Sequence, residues 1–172
     1  MLYVFLEGPD DKTYFDKVFG CYFSEYKIIM YANRSNIDIQ NFLNTIPKIP
    51  NSDYLFFGDE DGKGIDNRRS ELLEKYKISD GTKLFVVQYE IESWYYAGVT
   101  QQDCKKIKLS HFQHDTNKLS KEQLYSKMNK PSERKIIMAK MLECYSRDLA
   151  QTRNKSFLEF YGKIIEKSVA VS

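Results

Sequence analysis

Three cysteines and two histidines are all that these 172 residues offer as thiolate or imidazole ligands. Cys21, Cys104 and Cys144 are odd in number and form no CxxC pair. That argues against a disulfide framework or a zinc site, and it fits a reducing cytoplasm. Long apolar runs are also missing. No segment approaches the roughly 20 apolar residues that a membrane helix needs, so no membrane partner is expected. Met1 to Leu6 is apolar, but Glu7 closes it, and it lacks a basic flank and a cleavage site. It is therefore not expected to be a signal peptide. Neither an internal repeat nor a low-complexity linker interrupts the chain.

Apolar residues make up 42% and charged residues 29%, the balance of a globular chain. Its length suits one domain with a substantial core. The charge is unevenly spread. Residues 1–100 carry 11 Lys/Arg against 16 Asp/Glu, and residues 101–172 carry 15 against 8. A metal site beside a phosphate-binding surface has this signature, and so do lysine-rich solvated helices.

The first hundred residues alternate strand and helix patterns. Tyr3–Leu6, Tyr26–Tyr31, Tyr54–Phe57 and Leu84–Val87 are short apolar runs that read as buried strands. Between them, helices are expected from Pro9 through Phe19, over Ile39–Ile46 and over Asn67–Tyr76, with a short one from Ile91 to Ala97. The order predicts an α/β, Rossmann-like, mostly parallel four-stranded sheet with helices on both faces. Residues 101–130 read as a polar loop with at most one short helix. Helices over Ser132–Leu149 and Ser156–Lys167 follow, the second opened by a Ser156-x-x-Glu159 capping box. The whole reads as a single domain, with a core over 1–97 and a C-terminal helical extension over 98–172.

Acidic residues fall directly after three of the strands. Glu7 follows the first, Asp59, Glu60 and Asp61 the third, and Glu90 and Glu92 the fourth. In a parallel sheet these positions emerge at one edge, where ligands bind such folds. Clustered carboxylates repel one another, and a hard divalent cation relieves the repulsion. Each acid also has a structural alternative. Glu7 could cap the following helix, Asp59 and Asp61 could be turn residues, and Glu90 and Glu92 could open a solvated helix.

The Glu7-Gly8 pair after the first strand and the Asp59-x-Asp61 pair after the third resemble the Toprim domain of topoisomerases, primases and nucleases. The segment Glu7-Gly8-Pro9-Asp10-Asp11 is similar to the version in the overcoming-lysogenization-defect (OLD) nucleases, where a second acid follows the glutamate by about four residues; Asp11 takes that place. Glu90-Ile91-Glu92-Ser93-Trp94 resembles a motif of small Toprim-like proteins, some encoded near defence or mobile-element genes. The resemblance covers residues 1–97. It implies a Mg²⁺- or Mn²⁺-dependent nuclease with Glu7 as general base or metal ligand. Asp59 and Asp61 would be ligands, with Asp11, Glu90 and Glu92 as further candidates. Neither a topoisomerase-type tyrosine nor a GxxxxGK[ST] loop can be singled out, so an ATPase would have to come from a partner chain.

Phe56-Phe57-Gly58-Asp59-Glu60-Asp61-Gly62 also resembles the nucleophile loop of haloacid-dehalogenase-type phosphatases, although that loop follows a first strand rather than a third. Lys127, Lys130, Arg134, Arg153 and Lys155 are candidates for nucleic-acid phosphate contacts, or else belong to solvated helix faces. His111 and His114 have a spacing a helix could use for metal, in a context that reads as a polar loop. Trp94 reads as core. The alternative to a nuclease is a non-catalytic nucleotide- or nucleic-acid-binding subunit of a defence or processing complex.

Overall fold

The computed structural model describes residues 1–110 and 114–170. The chain forms two compact units, Met1–Val87 and Gln88–Ser172.

In the first unit β1 (Leu2–Leu6), α1 (Pro9–Val18), β2 (Tyr26–Met30), α2 (Asn36–Thr45), β3 (Asp53–Asp59), α3 (Ile65–Tyr76) and β4 (Leu84–Val87) alternate along the chain. The strands form one parallel sheet in the order β2-β1-β3-β4. The expected α/β architecture is present, and the reason is the alternation of side chains along each strand. Phe5, Ile29, Tyr54, Phe56, Leu84 and Val86 point to one face, where Ile39 and Leu43 of α2 and Leu72 and Tyr76 of α3 close over them. On the opposite face the ring of Phe15 in α1 meets Phe57 edge-on at 6.0 Å, and Phe57 stacks on Phe85 at 5.5 Å. Helices therefore cover both faces, as the continuous apolar runs require.

Strand order creates a crevice at one edge of the sheet. From β1 the chain moves outward to β2, then returns past β1 to build β3 and β4 on the other side. Neighbouring crossovers diverge there, so the topological switch point lies at the carboxyl ends of β1 and β3.

The second unit is helical among its described residues. It contains α4 (Ile91–Ala97), α5 (Gln101–Lys106), α6 (Lys121–Ser126), α7 (Arg134–Glu143), α8 (Arg147–Arg153) and α9 (Lys155–Ala170). Trp94 lies in its core, as expected, with its ring 5.5 Å from Phe157 and 5.7 Å from Phe160.

Three expectations are corrected here. The segment read as a loop with at most one short helix holds both α5 and α6, each with its own cap: Thr100 accepts from the Asp103 amide and Ser120 from the Gln123 amide. The single helix expected over Ser132–Leu149 is two, because Ser146 accepts from the Leu149 amide at 3.2 Å and starts a new one. Ser156 is not a cap either. Asn154 Oδ1 accepts from the Phe157 amide at 3.0 Å and takes the capping position, leaving Ser156 buried inside the first turn. There its hydroxyl accepts from the Trp94 indole at 2.9 Å and from the Gln88 amide at 3.1 Å.

Close packing around Gly58 yields a test of the switch-point geometry. A Cβ there would lie 2.5 Å from Leu72 Cδ1 and 3.4 Å from the Tyr31 hydroxyl, both on buried residues. Gly58→Ala should cost about 1–3 kcal/mol through overpacking, read as a lower urea midpoint with an unchanged slope.

Candidate functional site

Strand β1 ends at Leu6, so Glu7 is the first residue beyond it, and Asp59 is the last residue of β3. Because β1 and β3 pair directly, with Phe5 opposite Phe56, the register carries both acids to the switch point. Both are half-buried, and Asp59 Oδ1 is shut off from solvent.

Between the acids stands a residue that the sequence reading took only as the end of a strand. Tyr31 follows β2, and its ring stacks on Phe56 at 4.7 Å between centroids. Its hydroxyl donates to Glu7 Oε2 at 3.2 Å. Burial first, and then the charges of Glu7 and Asp59, with smaller contributions from Tyr76 and Asp11, hold the phenol well above its ordinary ionisation range. The Tyr31 hydroxyl thus lies in the combined field of Glu7, Asp59 and Asp11.

The other candidate acids have visible structural duties. Asp11 Oδ2 accepts from the Gly8 amide at 3.1 Å, bracing the N-terminus of α1, whose first residue is Pro9. Capping therefore falls to Asp11 rather than to Glu7. Asp61 sits in a left-handed turn conformation at φ 54°. Its carboxylate pairs with the Arg68 guanidinium at 2.9 Å. Arg68 is buried. It also donates to the Asp59 carbonyl at 2.8 Å and to Glu71 at 3.0 Å. Burial works against its charge, but Asp61 and Glu71 outweigh that and hold the guanidinium above its ordinary value.

Glu90 and Glu92 belong to the second unit and are engaged there. Glu90 Oε2 accepts from the Lys121 amide at 2.6 Å, and Glu92 Oε1 accepts from the Tyr125 hydroxyl at 2.7 Å. Burial pushes the Glu90 carboxyl up, the Lys121 amide partly offsets it, and the charge of Glu92 adds to the rise. Among the described residues, no group of three or more His, Cys, Asp or Glu side chains is arranged to hold a metal ion.

The basic candidates divide by environment. Lys130 and Lys155 are exposed, and Lys130 pairs with Glu133 at 3.2 Å. Lys127 lies over the Tyr96 ring at 6.0 Å, and Arg134 donates to the Tyr125 hydroxyl at 2.8 Å. Arg153, expected at a phosphate-binding surface, is instead buried. Its guanidinium donates to the carbonyls of Tyr96, Ala97 and Val99 at 3.0, 2.8 and 2.7 Å and to that of His114 at 3.1 Å. It closes the C-terminal end of α4, where carbonyls lack helical donors. His114 is exposed, and His111 lies outside the described residues.

Glu7 and Asp59 thus lie at the strand ends where the sequence put them, while the contacts of Tyr31 and Arg68 with that edge were not anticipated. A phenol one residue past β2 was a usable signal. Arg68 gave none, because with Arg69 beside it in a polar helix it looks solvated.

The fold is a parallel α/β unit with a carboxylate-lined switch point, joined in sequence to a helical unit. In comparison with known proteins, the chain matches no protein family, no curated protein and no solved structure.

Two measurements follow from these environments. The raised Tyr31 value means the fold is favoured while the phenol is protonated, so its contribution is full below the unfolded value near 10 and is lost as pH rises beyond it. Tyr31→Phe should lose less stability than wild type between about pH 9 and 11, in urea unfolding across that range. Arg153→Lys, whose side chain is shorter and lacks the Nε donor to the His114 carbonyl, should cost about 2 kcal/mol or more, whereas Lys155→Ala should stay within about 0.5 kcal/mol. Thermal melts of both would separate the buried cation from the exposed one.

Proposed function

We propose that the first unit binds Mg²⁺ or Mn²⁺ at its switch point and that the protein performs phosphodiester chemistry on nucleic acid as a Toprim-like nuclease. The observation that carries this reading is the convergence of Glu7 and Asp59 at the paired carboxyl ends of β1 and β3, around the Tyr31 hydroxyl.

The donor set fits one cation of the hard, oxygen-preferring class. Mg²⁺ is held by one or two carboxylates, keeps several waters and takes its remaining ligands from substrate phosphates. Glu7 and Asp59 supply that number, and Asp11 adds negative charge nearby. Such a cation, when bound, polarises a phosphoryl oxygen and lowers the pKa of a bound water. The chain's own contributions are orientation and proton handling. Tyr31 holds Glu7 Oε2 by donation, leaving Glu7 Oε1 to face a ligand or to accept a proton from attacking water. Arg68, through the Asp59 carbonyl, fixes the backbone that carries the second carboxylate. Lys130 and Lys155, exposed in the second unit, would contact phosphates of a nucleic-acid backbone.

The commitment of Asp61 to Arg68 favours a second reading, a non-catalytic subunit that binds metal-bearing nucleotide or nucleic acid. In that case an ATPase or other partner chain would supply the chemistry. A reducing, cytoplasmic setting accords with the free cysteines. Among the described residues no helix is long and apolar enough to cross a membrane.

Calorimetric titration of Mg²⁺ and Mn²⁺ tests the site. Wild type should bind saturably, and Glu7→Gln or Asp59→Asn should weaken binding at least about tenfold without a matching loss of fold. Absence of binding by folded wild type would overturn the metal reading. Wild-type cleavage of single- or double-stranded DNA or RNA that either variant abolishes establishes the nuclease. Binding without product, under both cations, selects the second reading.

A further inference from the structure

Resting on the cation site just proposed, one buried charge determines how many carboxylates that site can offer. Asp61 is the acid a Glu…Asp-x-Asp arrangement would place third among its ligands. Its carboxylate is instead paired with Arg68 at 2.9 Å. Arg68 is not a surface side chain that happened to meet an acid. Its side chain is only 9% exposed, against 41% for Asp61. It is also held by two further contacts, the Asp59 carbonyl at 2.8 Å and Glu71 at 3.0 Å. Lys63 braces the same assembly through Glu71 at 2.8 Å. A guanidinium presents its donors in a fixed planar fork, so these contacts constrain one another. The left-handed turn at Asp61 and the positive φ of Gly62 and Gly64 bring the loop back over the start of α3, from which Arg68 projects.

We infer that Arg68 is the specificity-determining residue of the site: by holding Asp61 it limits the site to the carboxylates of Glu7 and Asp59, and so selects a divalent cation that arrives with, or is completed by, a phosphate-bearing ligand. With two carboxylates, a Mg²⁺-sized ion retains open positions for water and phosphoryl oxygens. With a third, it would bind tightly by itself and offer fewer positions to substrate. Affinity for the bare cation is thereby kept low, and the substrate's own phosphate becomes part of the binding site. Arg68 touches neither ion nor substrate; it acts through Asp61.

The test is Mn²⁺ titration, followed by the spin-resonance signal of free Mn²⁺, of wild type, Arg68→Lys, Arg68→Met, Asp61→Asn and the Asp61→Asn, Arg68→Met double variant. Releasing Asp61 should make Arg68→Met bind bare Mn²⁺ about tenfold more tightly than wild type, the scale of one added carboxylate at an exposed site. The double variant should lose that gain, Asp61→Asn alone should stay within about twofold of wild type, and Arg68→Lys, which keeps a cation beside Asp61 without the fork, should gain less than Arg68→Met. A residue that merely staples the loop behaves oppositely, since Arg68→Met would then weaken binding. Weaker binding by Arg68→Met overturns the inference, as does a gain that persists in the double variant, because Asp61 would then have no part in it. Should Arg68→Met not fold, Asp61→Asn decides alone: unchanged affinity supports the inference, and a tenfold loss makes Asp61 a ligand and overturns it. If none of the five proteins binds Mn²⁺, the cation reading itself falls and this inference with it. If wild type binds and Arg68→Met matches it, only this inference falls.

Discussion

The pairing of β1 with β2 on one side and β3 on the other is the constraint on which the first unit depends. Because the chain runs outward from β1 to β2 and then returns past β1 to β3 and β4, the crossovers diverge between β1 and β3 and leave a crevice at their carboxyl ends. The residues that follow β1 and end β3 therefore share an edge whatever their side chains. Glu7 and Asp59 occupy those positions. Polar groups suit such an edge because water reaches it, while the strands behind, Phe5 opposite Phe56 and Val4 opposite Leu55, are sealed by helices. The same register brings the glycine before Asp59 under Leu72 and the Tyr31 hydroxyl, where no larger residue fits without displacement.

Two buried guanidiniums show how the chain handles cationic charge out of water. Arg153 donates to backbone carbonyls at a helix end, and burial lowers its pKa. Arg68 joins a backbone carbonyl to two carboxylates and is held above its ordinary value. The first closes a helix and also ties it to the His114 carbonyl through a second nitrogen, which a lysine does not have. The second couples the conformation of a loop to the charge displayed at the strand edge. Similar burial thus leads to different consequences, decided by whether the partners are dipoles or ions.

How much of this was legible depends on the range of the interaction concerned. Short apolar runs bounded by Gly58, Gly8-Pro9 and the acids gave the strands, since burial on both faces needs only local composition. Helix ends were harder. Ser156-x-x-Glu159 matched a capping pattern, but Asn154 two residues earlier had a better-placed carbonyl oxygen and won the position. The apolar period running through residues 132–149 gave no sign of a stop, although Ser146 begins a new helix inside it. Glu7 and Asp59 could be found because strand ends can be found. Tyr31, one residue past β2, could be placed at the same edge but not paired with Glu7, 24 residues away, and the contact of Arg68 with Asp59, nine residues away, left no local trace at all. Arg153 misled for the same reason. Three of its carbonyl partners lie more than 50 residues upstream and a fourth 39, so by composition alone it joined the solvated basic run.

Counting carboxylates ties these observations together. Read as a string, the first unit offers Glu7, Asp11, Asp59 and Asp61 to a cation. Folded, it assigns Asp11 to the amide of Gly8 and Asp61 to a buried arginine. What remains at the switch point is a pair, with a phenol donating to one member. Four uncompensated carboxylates at one edge would oppose folding in the absence of metal, each raising the pKa of the others. Distributing two of them to a helix start and an ion pair removes most of that repulsion while keeping negative potential at the edge. A stable metal-free fold and a high density of ligands are in conflict, and the arrangement of Asp11, Asp61 and Arg68 resolves that conflict in favour of the fold. On the reading proposed above, a cation that brings a ligand with oxygens of its own is what such a pair would receive.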